Sequence, residues 1–251
     1  KPDYTKEKFI ELLSPLLDGR KSIQRFETKH QRKDGTIYEA QINLQLIEVD
    51  GVEKFVAIVN DVTEHKKDIK DKDYYYDLAS HDHLTKIFNR QMFDEMYAKE
   101  IERSHRYGSS LSLIIIDIDY FKNVNDLYGH VVGSQMLVEI GKVLKNVLRD
   151  SDSIYRFGGD EFVVLMVDVD IRVVRKVALR ILNTIKMKKF MLENGDIYRL
   201  SVSIGLAEYP KNARSAKELI KFADKMMYES KRSGRGKVFH LKEVTDVSIS
   251  S

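Results

Sequence analysis

The chain has 251 residues, of which 43% are hydrophobic, with no cysteine and a formal net charge of +3. This length suits one or two domains with a real core, the near-balanced charge argues against bulk DNA or RNA binding, and the lack of cysteine excludes disulfides, thiol catalysis and cysteine-zinc sites. No apolar run approaches the length of a membrane span and the amino terminus is not signal-like, so the expected location is the cytoplasm.

In chain order, residues 1–66 differ in character from the rest. Phe9–Leu17 reads as a short amphipathic helix around Pro15, closed by Asp18-Gly19. Strand-like runs follow at Ser22–Arg32, Thr36–Val49 and Lys54–Val62, with Asp34-Gly35 and Asp50-Gly51 as hairpin turns between them. The pattern predicts an antiparallel meander, and Ile42, Leu44, Leu46 and Ile47 suggest a bulge-like slip in phase. Residues 62–82 are polar and helix-like. Val62, Ile69 and Tyr76 recur every seven residues, but His65 and Lys72 interrupt the seam. This fits a solvated connecting helix and a dimeric signalling stalk alike.

A helix is expected from Arg90 to about Tyr107, ended by Gly108, then a strand at 111–118 and an amphipathic helix at roughly 127–148. Two β-rich runs around Gly158-Gly159 predict a hairpin. A helix at about 170–190, a strand at 200–207, a helix at 215–231 and a short strand at 238–241 complete the pattern, and 243–251 reads as an unpacked tail. The βαββαβ order predicts an α+β fold: a mixed sheet with helices on one side, as in ferredoxin-like and polymerase-palm domains.

Two stretches carry chemistry. The hairpin tip holds Asp160 and Glu161 beside two glycines that let a ligand approach the backbone. An ordinary exposed acidic turn is the alternative reading of this tip alone. The second stretch runs a β-branched strand into Asp117 and Asp119. A carboxylate at the end of a buried strand is costly unless paired or metal-bound. If the two strands are neighbours, Asp117, Asp160 and Glu161 meet and can hold Mg²⁺ or Mn²⁺.

Gly158-Gly159-Asp160-Glu161-Phe162 resembles the signature of the GGDEF family of nucleotide cyclases. Asp82–Arg90 resembles that family's opening motif and Lys231–Arg235 its closing one, so the resemblance covers roughly residues 80–240. Lys33–Thr36 and Asp61–Lys66 resemble the hairpin turn and exit motif of a PAS sensor domain, in its carboxy-terminal half. Together they imply a partial antiparallel PAS sheet at 1–66, a helical linker at 67–82, a cyclase domain at 83–242 and a tail at 243–251. On this reading the chain starts inside the sensor, and the half-sheet needs cover, for which a second copy is a candidate.

The resemblance implies condensation of two nucleoside triphosphates, each 3′-hydroxyl attacking the other's α-phosphate with loss of pyrophosphate, in a homodimer. It implies Asp117 and Asp160 as metal ligands, with Glu161 and the Ile118 carbonyl in support and Asp160 assisting deprotonation. Asp119 is expected to orient the turn. Phe121, Lys122, Lys231 and Arg235 would bind phosphate, and Asn125 the base. Where the family continues Gly129–Gly133 with an aspartate, this chain has Ser134. That exchange marks the hybrid promiscuous subgroup, which makes cyclic GMP-AMP from GTP and ATP beside cyclic di-GMP. Serine removes a charged acceptor that would reject adenine. Arg149 and Asp152 match the family's inhibitory product site, with Arg180 as a possible third member, and His130 is expected to be a turn or packing residue. A strict diguanylate cyclase, an inactive cyclic-dinucleotide receptor and a mononucleotide cyclase are the alternatives.

Overall fold

The computed structural model describes residues 6–191, 195 and 197–240. The chain divides into two compact units, residues 1–76 and 77–251.

The first unit contains helix α1 (Lys6–Leu17) and strands β1 (Gln24–Gln31), β2 (Ile37–Val49) and β3 (Val52–Asp61). The strands form an antiparallel meander in the order β1-β2-β3. Asp50 and Gly51, both at positive φ (56° and 76°), make a two-residue turn between the paired Val49 and Val52. That backbone twist suits a tight hairpin. Both registers run unbroken, from Gln24 opposite Leu44 to Gln31 opposite Ile37, and from Ala40 opposite Asp61 to Val49 opposite Val52. The expected bulge is therefore absent from β2. Of the apolar pair Leu46-Ile47, Leu46 packs at the edge of the small core of Leu16, Ile42 and Leu44, and Ile47, on the opposite face, is exposed.

Helix α2 (Thr63–Ser80) follows, and Ser80 alone of its residues is buried. The second unit then runs α3 (Arg90–Tyr107), β4 (Leu111–Ile118), α4 (Phe121–Val147), β5 (Ser153–Arg156), β6 (Glu161–Val167), α5 (Ile171–Met187), β7 (Phe190–Met191), β8 (Ile197–Tyr198), β9 (Val202–Tyr209), α6 (Ala216–Arg232) and β10 (Val238–Phe239). The main sheet has the order β10-β9-β4-β6-β5; β10 is parallel to β9 and the other pairs are antiparallel. The β7–β8 hairpin, where no strand is expected from sequence, stands apart from it.

Helices cover both faces of this sheet, which corrects the one-sided expectation. Ile114, Ile116 and Ile118 of β4 pack with α4 and α5, through Met136, Ile140, Val174 and Ile181. Leu111, Leu113 and Ile115 pack oppositely with α3 and α6, through Phe93, Tyr97, Leu219 and Met227. A central strand apolar at nearly every position needs cover on both sides. On that second face α6 crosses β9 at Gly205, where a Cβ would come within 2.1 Å of the Ala223 carbonyl oxygen.

Helix α4 starts directly after β4, well before the expected residue 127, and kinks at Gly129 (φ 82°, ψ 162°). The polar segment 121–126 is thus helical, because its Phe121 and Val124 are buried and give it an inward face. The tail expected at 243–251 lies outside the described residues.

Candidate active site

β4 and β6 are neighbours, and their register sets Asp117 directly opposite Glu161. The Ile118 N–H donates to the Asp160 carbonyl at 3.2 Å, so the end of β4 meets the hairpin tip. Asp117 is 7% exposed, and Lys231 Nζ from the last turn of α6 lies 2.7 Å from its Oδ2. Burial pushes the Asp117 carboxyl up to about 6; Lys231 opposes the rise, and Asp160 and Glu161 add to it. Burial, and then the charge of Asp160, also raise Glu161. The Glu161 side chain folds back over Gly158, where a Cβ would come within 2.6 Å of Oε2.

The hairpin is anchored by Arg156. Its Nη1 donates to both oxygens of Asp82 at 3.0 and 3.1 Å, and its Nη2 donates to the Gly159 carbonyl at 2.7 Å. Asp82 also accepts from the Thr85 N–H and hydroxyl at 2.8 and 2.7 Å. Burial acts upward on Asp82, yet Thr85 and Arg156 together hold its carboxyl below the ordinary range. Sequence reasoning missed this role. The signal was present, since Asp82 opens one motif and Arg156 precedes the other.

Asp119 is buried and accepts from Ser203 Oγ at 2.7 Å, from Ser201 Oγ and from the Gly236 N–H at 3.1 Å. These bonds occupy both oxygens and tie the turn after β4 to β9 and to the loop after α6. Tyr120, left-handed at φ 57° and ψ 28°, leads into α4. The Arg235 guanidinium lies over its ring, 4.4 Å from the centroid. Beside this turn, Lys122, Asn125, His130, Ser134, Gly159 and Asp160 line a cleft of about 480 Å³. Asn125 lies against Gly133, where a Cβ would come within 2.0 Å of its Oδ1. His130 directly follows the kink residue Gly129 and is exposed at the cleft. The kink at Gly129 turns α4 there and frees it from the core.

Residues 79–237 match the family described as diguanylate cyclase, GGDEF domain. The chain belongs to that family. It is 31% identical over 217 residues to Diguanylate cyclase A of Treponema denticola, a match covering 86% of this chain and 53% of that protein. It is 37% identical over 164 residues to the uncharacterized protein YhcK of Bacillus subtilis, covering 64% of this chain and 45% of YhcK. The chain thus spans about half the length of these curated relatives. The crystal structure of the coiled coil and GGDEF domain of DgcB from Caulobacter crescentus, in complex with c-di-GMP, superposes with a TM-score of 0.67 at 26% identity. That match covers 70% of this chain and 93% of that one.

Members of the GGDEF family generally use a divalent metal, and the donors here suit one. They are hard oxygens, and two of the carboxyls are raised by burial and by the charge of Asp160, which a divalent cation relieves. Among the described residues no three such side chains already stand at metal-binding spacing. The Lys231 ammonium sets a positive charge against Asp117.

A second hollow of the GGDEF domain, about 320 Å³, brings Arg149 and Asp152 together with His81, Lys86, Phe88 and Lys145. Asp152 accepts from the Arg149 N–H at 3.1 Å. Arg180 does not line this hollow: its Nη2 donates to the Val147 carbonyl at 2.5 Å, drawn to the open carbonyls at the end of α4. Sequence reasoning missed His81, which is distant in the chain, and Lys145, which lies one turn before Arg149 at the end of α4. No described helix is long and apolar enough to cross a membrane.

Proposed function

We propose that this GGDEF domain condenses two GTP molecules into cyclic di-GMP, each 3′-hydroxyl attacking the other's α-phosphate and releasing pyrophosphate. One observation carries the reading: Asp160 joins the buried Asp117 and the half-buried Glu161 opposite it to the cleft that holds Asn125. Relatives named diguanylate cyclases support it. Asp117, Asp160, Glu161 and the Ile118 carbonyl would hold Mg²⁺ or Mn²⁺, whose charge neutralises phosphate oxygens and acidifies the hydroxyl. Lys122, Lys231, Arg235 and the N–H groups at the start of α4 bind the triphosphate. Asp160 receives the hydroxyl proton and Asn125 reads guanine. Each chain holds one nucleotide, so the reaction needs two chains face to face. Arg149 and Asp152 serve as a product site that slows turnover, and the three-stranded unit is part of a PAS-type sensor.

Cyclic GMP-AMP becomes a second reading and not the main product. Ser134 is the observation that favours it, because the serine lines the cleft alongside Asn125. The named relatives favour GTP alone.

The test is product analysis with GTP, ATP and both, in Mg²⁺. Cyclic di-GMP should form from GTP, and Asp160→Asn should abolish it while the protein stays folded. Absence of any cyclic dinucleotide from the parent overturns the proposal. If the mixture yields cyclic GMP-AMP and Ser134→Asp suppresses it, the second reading stands; cyclic di-GMP alone, even in excess ATP, eliminates it.

A further inference from the structure

We propose that Tyr120 is a positioning residue for the triphosphate, its ring holding Arg235 at the phosphate-binding turn; this rests on the proposed nucleotide reading of the site. Tyr120 and Arg235 are both non-glycine residues with left-handed backbone, at φ 57° and 61°. Such a conformation is disfavoured for a residue with a large side chain and persists where the surroundings impose it. Tyr120 is 57% exposed, so burial of the ring does not account for its presence. It makes two contacts with Arg235: the guanidinium lies 4.4 Å from the ring centroid, and Nη1 donates to the phenol oxygen at 3.2 Å.

The neighbouring residues form a matching pair. Asp119 accepts from the Gly236 N–H at 3.1 Å. Residues 119 and 120 thus hold residues 236 and 235 in turn, stitching the start of α4 to the loop after α6. Both joined segments carry cations for the proposed phosphates, Lys122 on one side, Lys231 and Arg235 on the other. An arginine in a loop is otherwise free to sample many rotamers, and ordering it costs affinity. Stacked on Tyr120, it is already ordered and uses one of its five N–H donors on the phenol, leaving others for phosphate oxygens.

The experiment uses the full chain with Mg²⁺, titrating a non-hydrolysable GTP analogue and GMP into the parent, Tyr120→Phe and Tyr120→Asn. Asparagine tolerates left-handed backbone, so a purely structural role predicts a variant as stable as the parent with unchanged binding. The expected result is triphosphate binding weakened about three- to tenfold by Tyr120→Asn, with GMP affinity held within about twofold and melting temperature maintained. Tyr120→Phe keeps the ring and should stay within about threefold of the parent. In turnover, Tyr120→Asn should raise KM for GTP while kcat changes little. Unchanged triphosphate affinity in Tyr120→Asn, an equal loss for GMP, or an equal loss in Tyr120→Phe overturns the proposal. A parent that binds the analogue but makes no product refutes the proposed activity, and the titrations still decide the role of Tyr120.

Discussion

β3 and β4 are both apolar strands with an aspartate at or near the end, and their surroundings send those aspartates in opposite directions. β3 is an edge strand of its meander and is exposed along its whole length, Val52 and Ile58 by 56% and 57%. β4 is central and buried at every position. At the end of β3, the Thr63 N–H and hydroxyl and then Arg32 hold the Asp61 carboxyl below the ordinary range, a solvated ion in a capping role. Near the end of β4, burial lifts Asp117 to about 6 despite Lys231. Position in the sheet, more than strand composition, decides which carboxyl is held low by hydrogen bonds and which is pushed up by burial.

The comparison breaks most sharply on activity. Asp117→Asn should lower cyclic di-GMP formation on the order of a hundredfold or more, since it removes a charge from the reacting centre. Asp61→Asn should leave the rate unchanged. Equal effects, measured as initial rates on folded protein, would remove the distinction between the two sites.

Stability comes next. Ile114→Ala, in the core beneath β4, should cost about 4 kcal/mol in denaturant unfolding, for lost burial and a cavity. Ile58→Ala on β3 should stay within about 0.5 kcal/mol. A large loss at Ile58 would mean that another surface covers β3 in solution.

The third contrast is in pH dependence. Asp117 binds its proton more tightly when folded, so stability falls as pH rises from its ordinary 3.8 through about 6. The loss is on the order of 3 kcal/mol and should disappear in Asp117→Asn. Asp61 has the opposite sign, contributing stability above the ordinary carboxylate pKa that is lost as pH falls through its folded value. Melting curves from pH 4 to 7 without metal, for the parent and each Asn variant, separate the two. Adding Mg²⁺ at pH 7 should stabilise the parent more than Asp117→Asn. A parent–Asp117→Asn difference independent of pH would contradict the raised carboxyl.

Local pattern carried much of the secondary structure. The two-residue turn at Asp50-Gly51 and the helix from Arg90 to Tyr107 were legible because glycine, capping residues and periodicity act within a few residues. The start of α4 was not, because residues 121–126 look polar in sequence and are helical through the burial of Phe121 and Val124. The second helical layer was missed although the unbroken apolar run of β4 already called for cover on two faces. Arg180, from another helix, donates to the Val147 carbonyl two residues before Arg149 without itself lining the hollow, a placement that only the packing of α5 against α4 sets.

The sequence by itself determined the acidic tips, the glycines beside them and the order of the elements, since these are properties of residue type and short-range spacing. It also marked Ser134 as an unusual neighbour for Asn125. Tertiary structure decided which of these groups meet: Asp117 with Glu161 across the β4–β6 register, Lys231 with Asp117 from α6, Arg156 with Asp82, and Arg235 with Tyr120. The reason is physical. Chain-distant charges acquire shifted proton affinities and fixed partners through burial and through-space contact, and both exist only once the sheet has brought its strands into register.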